Sequence, residues 1–163
     1  MGLAEGLKSV AKLIPGVTGY MNRDELRDTD KVVRGHVVKS LEAVKARVDG
    51  VKRLLVDEKK LMVLGNLDRV TSRIDRVRNR VATAAYGDKS FFSEFKVDES
   101  VLEKLIEFDR GMGEKVLLLA DHTAALEKAG VDEPAIKTAS GAMEKSVQEL
   151  DELFSSRDSI LGK

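Results

Sequence analysis

The chain has no cysteine and no tryptophan, and only two prolines. Five phenylalanines and two tyrosines are its only aromatics. Without cysteine there are no disulfides and no thiolate metal sites, which suits a reducing cytoplasm. An excess of one charge is missing too, since 28 Lys plus Arg balance 28 Asp plus Glu. No net field therefore draws the whole protein toward nucleic acid, and no recognised nucleic-acid motif is present. Nothing approaches the run of about 18 apolar residues that spans a bilayer. A secretory leader is not expected either, because Glu5, Gly6, Lys8 and Lys12 interrupt the N-terminal apolar stretch. The Met-Gly start lacks the Ser or Thr that an acylation signal requires, Gly6 standing in its place. We expect the whole chain to be the mature one.

Site chemistry is equally sparse. His36 and His122 fall on different predicted helices, and neither has a second histidine at ligand spacing. A di-metal carboxylate site in a helical bundle draws on Glu-x-x-His pairs, and the sequence has none. Gly111-Met112-Gly113 lies inside a helical pattern and follows no strand, so it is no dinucleotide loop. These residues predict no enzyme, no metal and no cofactor.

What the chain has in quantity is charge, 34% of its residues, and apolar residues at helical spacing. Val37, Leu41, Val44, Val48, Val51 and Leu55 recur at intervals of four and three, as do Leu67, Val70, Ile74, Val77 and Val81. Each set lines one side of a helix and must meet another helix to leave water. The polar run Asp57-Glu58-Lys59-Lys60 between them fits neither seam and predicts a helical hairpin. Asn22 with Glu25 makes a reciprocal N-cap, placing the first long helix at about 22–57, roughly 50 Å long. The second is predicted from about Lys60 to Ala85, with Gly87 to cap it.

Asp98 caps a third helix with the seam Val101, Leu105, Phe108, Met112, Val116, Leu119, Thr123 and Leu126, closed by Gly130. Asp132 caps a fourth, with Ile136, Ser140, Met143, Val147, Leu150, Phe154 and Leu161. Residues 2–14 form a short amphipathic helix ended by Pro15-Gly16. No stretch alternates with period two. The expected fold is all-α: an antiparallel four-helix bundle of long coiled-coil-like helices over 22–163, preceded by an amphipathic segment and linker over 1–21. The first long helix outreaches the others, and that overhang calls for a second subunit or another partner.

Three features are candidate surfaces. Arg69, Arg73, Arg76 and Arg80 form one ridge that could grip phosphates of lipid or nucleic acid. The plainer reading is a ladder of ion pairs, with Asp68, Asp75, Glu103, Glu107 and Glu114 available. Leu3, Leu7, Val10 and Ile14 form an apolar face that lies either in a headgroup layer or on the bundle. Phe91, Phe92 and Phe95 cluster in the link after Tyr86-Gly87, as a partner wedge or as a plug for the bundle end.

Two short patterns carry a resemblance. Ile14-Pro15-Gly16, Gly19-Tyr20, Glu25, Arg27-Asp28, Asp30 and Arg34 form the first. Tyr86-Gly87, Phe91-Phe92 and Glu107-Phe108-Asp109 form the second. Together they resemble a family of small all-helical prokaryotic proteins with no known activity. The resemblance implies a helical fold and a prokaryotic source, and it transfers no functional site.

The expectation for function is a non-catalytic helical interaction or scaffold module acting through helix faces, on a protein partner or a second copy. The alternative is a peripheral membrane-binding protein that meets an anionic surface with residues 2–14 and the arginine ridge. The expected location is cytoplasmic, or membrane-peripheral under the alternative.

Overall fold

The computed structural model describes residues 2–84 and 98–160, and every regular element among them is helical. We number them α1 (Leu3–Leu13), α2 (Arg23–Asp57), α3 (Leu64–Thr83), α4 (Glu99–Lys128), α5 (Glu133–Ser155) and α6 (Arg157–Ile160). A 3-10 turn, Leu61–Val63, leads into α3. Gly87, Leu161 and the phenylalanines Phe91, Phe92 and Phe95 lie outside the described residues.

The boundaries follow from local chemistry. Asn22 Oδ1 accepts the Glu25 N–H at 2.9 Å, while Glu25 Oε2 accepts that of Met21 at 2.8 Å. The reciprocal cap therefore forms, with its return arm one residue further back than the sequence suggests. Asp98 caps α4 through the Val101 N–H at 3.0 Å. Asp132 stands at the corresponding place on α5 but makes no capping bond. Pro134 in that first turn has no N–H to give, which removes one of the donors a cap would bind.

The end of α2 is more specific than the polar run implied. Lys60 N–H bonds Leu55 O at 2.8 Å and Lys59 N–H bonds Val56 O at 3.1 Å, with Lys59 left-handed at φ 60°. This is a Schellman ending with lysine where glycine is usual. The turn and the short 3-10 segment take up residues 58–63, so α3 begins at Leu64, about four residues later than expected.

All the predicted seam residues from Val37 to Leu55, and from Leu67 to Val81, are buried. So are Leu105, Phe108, Met112, Val116, Leu119, Thr123 and Leu126 on α4, and Ile136 to Phe154 on α5. Ion pairs fix the directions. Between α2 and α3, residue numbers fall on one helix as they rise on the other: Glu42–Arg78, Lys45–Asp75, Lys52–Asp68. These two helices are antiparallel, and α4 and α5 are likewise, pairing Lys115 with Glu149 and Gly111 with Leu153.

The two hairpins meet differently. Arg69–Glu144 and Arg80–Asp151 rise together, so α3 runs parallel to α5. The pair Arg47–Glu127 lies further along both α2 and α4 than the Asp30–Arg157–Asp109 contacts, so α2 runs parallel to α4. Among the four long helices α2 to α5, each reverses the one before it in the chain, yet its two side neighbours are one antiparallel and one parallel. Residues 85–97 connect helices that are not side neighbours, a placement no seam pattern specifies.

α1 lies along α4. Val10 and Ile14 are fully buried, and Leu3 and Leu7 pack at the edge of the same core. The approach is close at Gly113, where an added Cβ would stand 3.1 Å from Leu13 and 3.2 Å from Ile14. The long start of α2 is also covered by the chain itself, not left wet. Leu26, Thr29, Asp30 and Val33 are buried, and Thr29 Oγ1 donates to Gly19 O at 2.7 Å.

Two outcomes test this packing in urea unfolding. Ile74 is 1% exposed, so Ile74→Ala is expected to cost about 2–5 kcal/mol, and a near-neutral result would remove it from the core. Lys59→Gly is expected to stabilise by up to about 1 kcal/mol, because glycine relieves the left-handed strain at that ending.

Candidate interaction surfaces and a buried ion cluster

Where α2 begins, α4 passes and α5 ends, the core holds charges instead of apolar groups. Asp30, Asp109 and Arg157 are each buried to within 2% of full exclusion. They come from α2, α4 and the single turn α6. Arg157 Nη2 stands 2.5 Å from Asp30 Oδ1, and its Nη1 stands 3.7 Å from Asp109 Oδ1. The guanidinium also lies over the Phe108 ring, 5.3 Å from its centroid, an arrangement favourable for a desolvated cation.

Two further groups complete the cluster. Tyr20 donates its hydroxyl to Asp109 Oδ2 at 2.6 Å. Arg34 Nε donates to Asp30 Oδ2 at 3.0 Å, and its Nη1 reaches Ala84 O at 3.1 Å. Arg34 thereby ties the start of α2 to the end of α3. Two carboxylates face two guanidinium groups, so the ionised cluster is neutral as a whole.

The balance is uneven within it. Arg157 sits close to Asp30 and further from Asp109, leaving the Asp109 charge poorly compensated. Burial pushes the Asp109 carboxyl up to about 7, with Asp30 adding to the rise while Arg157 and Tyr20 oppose it. Burial also pushes the Tyr20 phenol up, helped by the adjacent Asp109. The phenol therefore stays protonated and remains a donor.

The sequence carried a signal for this cluster. Asp30 stands four residues after Leu26 and three before Val33, and Arg157 stands three after Phe154. Both occupy seam positions where an apolar residue belongs. Asp109 follows Phe108 directly, four residues after Leu105. Three charges on three stripes required one another, and reading the stripes for oil alone passed over them. Tyr20, Asp30, Arg34 and Asp109 belong to the patterns that carry the family resemblance, although no role attached to them there.

The arginine ridge divides. Arg69 pairs with Glu144 at 3.2 Å. Arg80 pairs with Asp151, bonds Ser155 Oγ at 3.0 Å and lies over the Phe154 ring. Arg73 is half-buried and Arg76 exposed, and neither makes an ion pair with the described residues. Four of the five acids available by spacing are engaged elsewhere: Asp68 and Asp75 by Lys52 and Lys45 of α2, Glu107 and Glu114 by Arg110 on their own helix. The reason is neighbour order, since α3 lies beside α5.

Two surfaces remain. Around the α2–α3 turn, Leu54, Val56, Leu61 and Met62 are exposed, Met62 by 82%. The second is a trough of about 330 Å³ between α2 and α4, starting where α1 ends. Small residues line it, Ser40 and Ala43 from α2, Gly113 and Ala120 from α4, with Leu117 as its large apolar wall. Leu117 is 56% exposed. Its ionisable lining groups are Lys12, His36 and Arg47, and partial burial lowers the pKa of His36. Arg47 is also bonded to Glu127 at 3.1 Å.

No described helix is long and apolar enough to cross a membrane. Among the described residues no three His, Asp or Glu side chains gather as metal ligands.

The Asp109 shift fixes a sign. A carboxyl raised in the folded state binds a proton that the unfolded chain, near 3.8, has already lost. Its contribution to stability is therefore full below that value and falls as pH rises toward 7, by up to about 1.4 kcal/mol per pH unit. Urea unfolding between pH 5 and 8 should show a steeper loss of stability with rising pH for the wild type than for Asp109→Asn. Equal slopes would mean that Asp109 does not hold the extra proton. Comparison with family models, with curated proteins and with solved structures finds no match for this chain.

Proposed function

We propose that this chain is a non-catalytic helical interaction module of four-helix-bundle type, and that the α2–α4 trough seats one amphipathic helix of a partner protein. The observation that carries the reading is Leu117, a large apolar side chain left 56% exposed on the wall of a trough whose lower end is already closed by a helix. α1 packs on α4 up to Gly113 and then turns away at Pro15-Gly16. The trough runs on past that point along the same face of α4. A second helix continuing the line of α1 would cover Leu117, Val116 and Ala120, and the small residues allow its backbone to come close. Lys12 on the lining favours acidic residues on the polar edge of that helix.

The membrane alternative has less to work with. Val10 and Ile14, half of the face it requires, are buried against the chain's own core. Arg69 and Arg80, half of its ridge, are paired with α5. Flotation with anionic vesicles at low salt is expected to leave the protein at the bottom of the gradient.

Placing a photo-crosslinking amino acid at position 117 tests the proposal directly, with Lys39 on exposed α2 surface as the control position. Irradiation in cells should give one discrete adduct from 117 and none from 39. The crosslinked peptide should be an acidic amphipathic segment, and Ala43→Arg, which fills the trough, should abolish the adduct. An adduct between two copies would replace the foreign partner with self-association. No adduct, or one untouched by Ala43→Arg, would overturn the trough as the seat.

A further inference from the structure

We propose that the turn Arg157–Ile160 is a latch held by the negative charge of Asp109, and that acid releases it and uncovers the ring of Phe108. α6 has four residues, too few to be stable as a helix by itself. Its hold on the body comes from the Arg157 side chain inserted between Asp30 and Asp109, and from Ile160 packed at the edge of the core. With Ser156 it forms one wall of a groove of about 500 Å³, whose other walls include Phe108 and Gly111 of α4 and Leu153 of α5. Phe108 is covered to within 3% while Arg157 rests on it.

Charge counting drives the release. Tyr20 from the link, Asp30 from α2 and Arg157 from α6 act on Asp109, and Arg34 stands behind Asp30 at 3.0 Å. With both carboxylates ionised, two negative groups meet two positive ones. Adding a proton to Asp109 leaves Arg34 and Arg157 sharing Asp30 alone, with one surplus positive charge away from water. Such a surplus is strongly unfavourable in a buried site.

The two arginines are not equally placed to relieve it. Arg34 is anchored to the carbonyls of Val81 and Ala84 inside a helix of 35 residues. Arg157 belongs to a single turn at the surface. Moving Arg157 outward leaves Asp30 paired with Arg34, and Tyr20 bonded to the neutral Asp109. The burial that raises the Asp109 carboxyl to about 7 puts this exchange within reach of ordinary pH. Acid would then strengthen the folded body as a whole while loosening this one turn. Those two effects run in opposite directions and are separately measurable.

The absence of cysteine makes the test clean. A nitroxide spin label on Ser159→Cys, an exposed position of α6, should be immobile at pH 8.5 and mobile at pH 5.5, with a midpoint near 7. Replacing His36 and His122 by Gln should leave that midpoint in place. In Asp109→Asn the label should be mobile across the whole range, with no transition. A label that stays immobile down to pH 5.5 in the wild type would overturn the latch. So would a transition unchanged in Asp109→Asn. Should Asp109→Asn fail to fold, Arg157→Gln serves in its place: its label should be mobile at every pH, and one as immobile as the wild type at pH 8.5 would equally overturn the proposal.

Discussion

A charge taken out of water must meet an opposite charge, and that constraint organises one end of this molecule. Asp30 interrupts the core-facing stripe of α2 between Leu26 and Val33, and an apolar group in the place of its partner would leave its charge stranded. The chain answers with Arg157, brought in by a single turn after α5, and with Arg34 one turn further along α2. Asp109 and Tyr20 then follow, since a guanidinium between two helices has more than one carboxylate to satisfy. The start of α2, the middle of α4 and the end of the described chain are fastened at one point. Removing any one of the four charged groups would leave the buried cluster with one uncompensated charge, which is far more costly than losing a surface pair.

The remainder of the body is held by ordinary means. Four stripes of valine, leucine, isoleucine, methionine and phenylalanine shelter one another, and the many ion pairs along the outside contribute little each. Those pairs matter for a different reason, because they record direction. Arg69–Glu144 with Arg80–Asp151, and Arg47–Glu127 with the Asp30–Arg157–Asp109 contacts, show that the two hairpins lie parallel where they meet. Polar rims of this sort favour one alignment over another even when they add little stability.

The four stripes, the caps at Asn22 and Asp98, and the break at Pro15 were legible from residue spacing because each is a local matter. Side-by-side order was not, since four similar stripes can shelter each other in more than one arrangement. Asp68, Asp75 and Glu107, acids available to the arginine row by spacing, pair instead with Lys52, Lys45 and Arg110. The buried cluster was half legible. Asp30 and Arg157 interrupt their stripes at seam positions, and an interruption is a signal. Pairing the interruptions needed the knowledge that both fall at the same end. The trough could not be read at all, because Leu117 is one apolar residue among several on α4 and only its surroundings distinguish it.

The claim on which the rest stands is that Arg157 and Asp30 depend on each other. A double-mutant cycle of Arg157→Ala and Asp30→Ala, followed by urea unfolding at pH 8, measures that dependence directly. Each single change should destabilise strongly, and the double change should cost much less than their sum, with a coupling of about 2 kcal/mol or more. Additive losses would contradict the account, and the end of the helical body would then be held by packing alone.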